Sequence, residues 1–343
     1  MSTKGIYTAS AARYDDAEAL YSRCGKSGVL LPKVSLGFWH NFGAVDAYER
    51  SRAITHYAFD HGITHFDLAN NYGPPYGSAE ETMGQLMKDD FAPYRDELFI
   101  ATKAGYDMWE GPYGNWGSRK YLIASLDQSL KRLGIPYVDI FYHHRMDPNT
   151  PLEETMGALA QIVKSGKALY VGLSNYDGPT MAKAERILDE LHVPFVINQN
   201  RYSILDRSVE NNGLLKQTYA SGKGLICFSP LAQGMLTDRY LKDMPADSRA
   251  VKDGRFLHED QVLETRPLLN QLNEIAAGYD MKLSELAIAW LLNKPEVTTV
   301  LIGASKPEQI ISNLKAVEKQ AHTVMTDDEL QKIEDAVAAF ERS

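Results

Sequence analysis

Eight short runs rich in Val, Ile and Phe recur along the chain, each followed by a segment with helical spacing, and this alternation admits few architectures. The runs are VSLGF (34–38), THFDLA (64–69), LFIATK (98–103), VDIFYHH (138–144), ALYVGLS (168–174), FVINQN (195–200), LICFSP (225–230) and TTVLIG (298–303). Several are apolar almost throughout rather than alternating, as parallel strands covered on both faces should be. The segments between them carry helix punctuation. Asp46 precedes Ile54, Tyr57, Ala58 and His61, with Gly62 beyond; Ser118 precedes Leu122, Leu126, Leu130 and Leu133, with Gly134 beyond. Thr150 and Pro151 open a third segment that stops at Gly166, and Pro179 opens a fourth. Eight strand and helix units closing on themselves predict an α/β fold, a (β/α)8 TIM barrel, with residues 1–343 forming one domain.

Two regions depart from the repeat. Residues 21–34 (YSRCGKSGVLLPKV) predict a two-stranded hairpin turning at Lys26 to Gly28, a plug for the barrel bottom, preceded by an N-terminal arm over about 1–20. Residues 231–297 are too many for one loop and helix. They predict a long loop over 231–262, then helices near 263–278 and 284–293, and an extra helix follows Thr326.

Composition closes off several function classes. Lys and Arg number 36 against 45 Asp and Glu, a net charge of −9, so no overall basic field draws the chain to nucleic acid or to an anionic membrane. No run approaches the roughly 18 apolar residues of a membrane helix. The first thirty residues include Arg13, Asp15, Asp16, Glu18, Arg23 and Lys26 and do not read as a signal peptide, which points to a cytoplasmic protein. Cys24 and Cys227 fit neither a disulfide framework nor a zinc site. GKS at 25–27 lacks the earlier glycine of a phosphate loop, since Leu20 stands there, and GPYGNWG (111–117) lacks dinucleotide-fingerprint spacing. There is no HExxH, and His143 and His144 alternate across a strand, so no metal is expected.

In such barrels the chemistry sits at the carboxyl ends of the strands. Three successive runs end in Asp67 with Tyr72 beyond it, in Lys103, and in His143 and His144. A buried carboxylate and a buried ammonium at adjacent strand ends are expected to neutralise one another. Taken alone, that pair reads equally as a structural ion pair. Tyr72 lies close enough in sequence to fold over it, and a cation beside a phenol is expected to bring its pKa down from about 10, making a general acid.

These stretches, HFDLANNY, FIATKAG and VDIFYHHR, resemble the catalytic segments of the aldo-keto reductases, and the similarity runs from about residue 21 to 340. Within that superfamily the sequence is most similar to bacterial L-glyceraldehyde 3-phosphate reductases, with potassium-channel β-subunits as relatives. The resemblance implies a catalytic tetrad of Asp67, Tyr72, Lys103 and His144, and direct hydride transfer to a carbonyl without a metal. His144 is preferred to His143 because the family's His stands five residues after the strand's Asp, here Asp139.

The resemblance also implies NADPH as cofactor. Ser174, Asn175 and Gln199 would hold the carboxamide, Phe228 would stack on the nicotinamide, and Trp39 would lie beside the ring. Ser229, Pro230, Leu231, Gln233 and Gly234, with Arg239, belong to the loop expected to cover the pyrophosphate. Gly303, Ser305 and Gln309 open the eighth helix, where free N–H groups favour phosphate; Lys306 and Arg249 add charge for a 2′-phosphate, and Asn313 would contact adenine. Gln309 stands where many members carry Arg, and Ser312 where the β-subunits carry Glu.

Trp39, with Phe38 and His40, and Asn71, Tyr106 and Trp109 would line the carbonyl pocket, with Arg145 or Arg119 available to a substrate phosphate or else solvated. The implied substrates are small aldehydes, including triose phosphates and methylglyoxal. The implied assembly is a homo-oligomer, a tetramer or larger. A second reading is a nicotinamide-nucleotide-sensing regulatory subunit like the channel β-subunits. Those commonly carry Asn where this chain has His144, which tilts the sequence toward the enzyme.

Overall fold

The computed structural model describes residues 6–246, 248–252, 254–255, 257–322 and 325–342, leaving the side chains of Arg249, Lys252, Ala321, His322 and Glu329 outside the description. The strands are β1 (Tyr21–Arg23), β2 (Leu30–Pro32), β3 (Val34–Gly37), β4 (His65–Asp67), β5 (Phe99–Ala104), β6 (Val138–His143), β7 (Ala168–Ser174), β8 (Phe195–Arg201), β9 (Gly224–Phe228) and β10 (Val297–Ile302). The α-helices are α1 (Ala17–Leu20), α2 (Tyr48–Asp60), α3 (Ser78–Leu86), α4 (Arg119–Leu133), α5 (Leu152–Lys164), α6 (Gly178–Glu190), α7 (Ser208–Asn211), α8 (Leu214–Ser221), α9 (Arg249–Lys252), α10 (Glu259–Ala277), α11 (Leu283–Leu292), α12 (Pro307–His322) and α13 (Asp327–Glu341).

Strands β3 to β10 close a barrel in the order β10-β3-β4-β5-β6-β7-β8-β9, each neighbouring pair parallel. This is the (β/α)8 barrel that the repeat predicts. Every apolar run overlaps one of its strands, with boundaries no more than two residues apart. The expected ends of α4 hold in detail: Ser118 accepts from the Tyr121 N–H, and Gly134 takes a left-handed conformation at φ 66°.

Alternation along each strand separates two cores. One face packs outward against the helices. The other fills the barrel with Ala101, Ile140, Tyr142, Ile197, Ile226 and Leu301, and the hairpin's Cys24, Val29 and Leu31 join that inner cluster from below. The hairpin is fastened there by bonds from Cys24 Sγ to Val196 O (3.3 Å) and from Lys26 N to Gly222 O (2.7 Å). Midway up, Gly172 makes room for the Tyr142 ring; a Cβ at this position would lie 2.3 Å from it.

Two expectations are corrected. Asp46 does not cap α2, which starts after Ala47; its carboxylate accepts from Gly43 N (3.2 Å) and pairs with Arg50, so an upstream turn claims it. Residues 231–262 are not one irregular loop. They contain short 3-10 turns at Ala232–Gly234 and Asp238–Tyr240, the short α9, and the start of α10, whose acidic first turn Glu259 and Asp260 suits a helix N-terminus. The N-terminal arm is anchored where it is described: Tyr7 donates to Asp60 (2.9 Å), Ala9 N to Tyr94 (3.0 Å), and Arg13 pairs with Glu97.

Candidate active site

Asp67 ends β4 and Lys103 lies near the end of β5, both with no solvent exposure. The register pairs Asp67 with Ala101, so Lys103 lies two residues further along the same inward face. Its ammonium meets three acceptors: the Asp67 carboxylate, Leu68 O (2.7 Å) and the Tyr72 hydroxyl (3.2 Å). An ammonium has three donors, so the cation is fully coordinated. The other Asp67 oxygen accepts from Gln199 Nε2 at 3.0 Å, across the barrel from β8. Neither charge is left unpaired, which is what makes their burial tolerable.

Tyr72 reaches the cluster on a turn closed by its own N–H to Ala69 O (3.1 Å). Its ring stands edge-on to His144 with centroids 5.9 Å apart. His144 prolongs the β6 ladder through its N–H to Ala104 O (2.8 Å), and Asn175 Nδ2 donates to its carbonyl (2.9 Å). His143 points the other way, to Tyr176 (2.7 Å) behind the strand. The structure thus brings Asp67, Tyr72, Lys103 and His144 to one mouth and leaves His143 outside it.

The electrostatics differ from the sequence expectation in one respect. Tyr72 is held well above 10.0, not brought down, because lost solvent and then the Asp67 charge both oppose the phenolate. Burial also lowers Lys103, with Asp67 opposing that fall. His144 is held well below 6.5, first by burial and then by the cations Lys103 and Arg145, so it stays neutral. A protonated phenol and a neutral imidazole therefore face the mouth.

The residues expected to hold a dinucleotide ring the same end. Ser174 and Gln199 are register partners on β7 and β8, and Asn175 follows with φ 55°. Phe228 ends β9 half-buried. Ser229, Ala232, Gln233 and Gly234 all have positive φ (54°, 46°, 61° and 98°), and the loop closes on itself through Ala232 N to Ser229 O (2.9 Å) and Gly234 N to Leu231 O (2.8 Å). At the start of α12, Gln309 Oε1 accepts from Ser305 N (2.7 Å) and from Ser305 Oγ (3.2 Å). A carboxamide oxygen stands there where a phosphate oxygen would find the same two donors, so these residues fit a nucleotide phosphate. Gly303 is exposed beside them, Asn313 is buried one turn on, and Arg239 is exposed in its turn. The side chain of Arg249 lies outside the described residues.

In the pocket wall, Trp39 is partly exposed and packs on His40 at 4.0 Å, and Trp109 packs on Tyr121 at 5.0 Å. Asn71 Oδ1 is buried without a hydrogen-bond partner among the described residues. Tyr106 stands edge-on to His144 at 4.7 Å. Arg145 is not a free cation: Nε donates to Gly105 O and Nη2 to Asn115 Oδ1, both at 2.9 Å. Arg119 turns to Gly157 O (3.2 Å) on α5. Sequence reasoning missed the Gln199 bond to Asp67 and the involvement of Asn115 and Trp116. Inward alternation along β8 places Gln199 inside the barrel without naming its partner; nothing in a glycine-rich loop signals the second.

Comparisons with known proteins agree on the family and the fold. The profile of the Aldo/keto reductase family matches residues 33–338. The chain is 51% identical over 337 residues to an L-glyceraldehyde 3-phosphate reductase of Escherichia coli O157:H7, covering 97% of this chain and 96% of that one. It is 54% identical over 316 residues to the same-named protein of Escherichia coli strain K12, covering 91% of each. A probable voltage-gated potassium channel subunit beta of Oryza sativa subsp. japonica is 34% identical, covering 92% of this chain and 96% of the relative. Among solved structures, a thermostable aldo-keto reductase bound to the inhibitor epalrestat superposes with a TM-score of 0.70 at 29% identity, covering 92% of this chain and 99% of that one.

Proposed function

The chain belongs to the aldo/keto reductase family and is an oxidoreductase, and from that premise we propose that it reduces small aldehydes, L-glyceraldehyde 3-phosphate or methylglyoxal among them, to alcohols with NADPH. The observation that carries this reading is the Lys103 ammonium shared between Asp67 and the Tyr72 hydroxyl at a mouth that also holds a neutral His144. When bound, the reduced nicotinamide supplies a hydride to the carbonyl carbon. Tyr72 keeps its proton at neutral pH and donates it to the carbonyl oxygen. Lys103 stabilises the phenolate as it forms, and Asp67, steadied by Gln199, holds Lys103 in place. His144 orients the carbonyl through a hydrogen bond.

Ser174, Asn175 and Gln199 would hold the carboxamide and Phe228 the ring face, with Trp39 beside it. Loop 229–234 and Gly303, Ser305 and Gln309 would take the phosphates, and Asn313 the adenine. Arg239, Lys306 and Arg249 supply local positive charge in a chain of net charge −9, which favours the 2′-phosphate of NADPH over NADH. We also propose a homo-oligomer.

The test is nicotinamide oxidation with glyceraldehyde, glyceraldehyde 3-phosphate and methylglyoxal, with NADPH and NADH in parallel, for the wild type and Tyr72→Phe. The reading expects Tyr72→Phe to lose about a hundredfold or more in kcat while still binding NADPH. Tight NADPH binding without turnover by the wild type would instead favour a nucleotide-sensing regulatory subunit; the rice relative is named a probable voltage-gated potassium channel subunit beta.

A further inference from the structure

Arg145 follows His144 directly, yet its environment is unlike that of a substrate-binding arginine. Its guanidinium lies between two aromatic rings, 4.2 Å from the Tyr106 centroid and 3.7 Å from that of Trp116. Both edges named above are also tied down, to Gly105 O at the end of β5 and to Asn115 Oδ1. Asn115 is itself fixed, since its Oδ1 also accepts from Trp116 N (2.7 Å) and its Nδ2 donates to Asp107. Trp116 holds a left-handed backbone at φ 71°, a conformation costly for a bulky residue unless its surroundings impose it.

The purpose of this grip is visible one contact further in. Tyr106, on one face of Arg145, presents its ring edge-on to His144 at an interplanar angle of 85°. The Tyr106 carbonyl accepts from the Tyr121 hydroxyl (2.5 Å), which in turn accepts from Asn70 Nδ2 (3.0 Å). Asn70 lies two residues before Tyr72 on the loop that brings the phenol to Lys103. One chain of contacts therefore joins the loops after β4, β5 and β6, which carry Tyr72, Tyr106 and His144.

We infer that Arg145 is a positioning residue of this site: clamped between Tyr106 and Trp116, it fixes the loop that seats Tyr106 against His144 and so sets the imidazole's orientation toward a bound carbonyl. The inference rests on the reductase reading and adds to it a residue that acts through another. A planar guanidinium stacks on two faces while donating in its plane, which an ammonium does not do, so the function needs Arg rather than positive charge.

The experiment compares wild type, Arg145→Lys and Arg145→Met with glyceraldehyde and with glyceraldehyde 3-phosphate, after circular dichroism has shown that each variant is folded. Both variants are expected to lose about tenfold to a hundredfold in kcat on both substrates with KM little changed, and Lys is expected not to rescue Met. A loss confined to KM for the phosphorylated aldehyde would overturn the inference and make Arg145 a phosphate contact. Full kcat in Arg145→Lys would overturn it too. The second readout needs no turnover: imidazole NMR signals of the ligand-free protein, with His144 assigned through His144→Gln. The His144 signal is expected to shift or broaden in both variants, and an unchanged signal refutes the clamp. If the wild type reduces no aldehyde, the reductase reading fails while the NMR comparison still decides whether Arg145 orients His144.

Discussion

The two ends of this barrel are built from the same strands and handle burial in opposite ways. At the bottom, the hairpin's Cys24, Val29 and Leu31 meet Ala101, Ile140 and Ile226 in an apolar plug. At the mouth, Asp67 and Lys103 are as buried as any core residue but carry charge. The bottom is held by packing, where each lost methylene costs stability alone. The mouth is held by complete pairing, where removing one partner strands the other. Both ends thereby contribute stability, while the chemistry is confined to the mouth.

The largest break of this comparison is Lys103→Met. It strands the Asp67 carboxylate and removes the cation facing Tyr72, so turnover should fall to background and stability by about 3–5 kcal/mol, read by aldehyde reduction and denaturant melts. Next, Leu31→Ala at the bottom should cost about 2–5 kcal/mol with kcat almost unchanged; an equal fall in kcat would show that the ends are coupled. Between them, Gly172→Ala forces a Cβ toward the Tyr142 ring beneath Lys103. About 1–3 kcal/mol of destabilisation is expected, with a smaller loss of kcat than at Lys103.

The smallest effect concerns His65, two residues below Asp67 on the same inward face and bonded through Nδ1 to Ser35 (2.9 Å). Burial pushes it down to about 4 from 6.5. In this case the folded state resists a proton that the unfolded chain accepts. The cost is absent above pH 6.5 and grows as pH falls toward 4. Melts across that window should show His65→Asn losing less stability on acidification than the wild type; parallel curves would remove His65 from the acid response.

The fold was legible because its signals are local. Parallel strands buried on both faces read as near-continuous apolar runs, and the Ser118 and Gly134 caps act within one helical turn of their own residues. Asp46 misled for the same reason in reverse: its preference for a helix start lost to a turn at Gly43. The mouth was legible because strand ends in this architecture converge on one site, which brings Asp67, Tyr72, Lys103 and the His143–His144 pair to one end of the barrel, while the choice of His144 and the tetrad itself came from the family resemblance. The contact from Gln199 to Asp67 was not, since β8 lies opposite β4 in the closed order and only closure joins them.

By itself, then, the sequence determined the barrel, the end that carries the charged cluster, and which residue types stand there, because periodicity, caps and strand order are properties of neighbouring residues. Tertiary structure decided the direction in which Tyr72 is shifted, the pairing of every Lys103 donor, and the commitment of Arg145 to Tyr106 and Trp116 rather than to solvent. Those outcomes depend on desolvation and on contacts between loops distant in sequence, and both exist only once the barrel has closed.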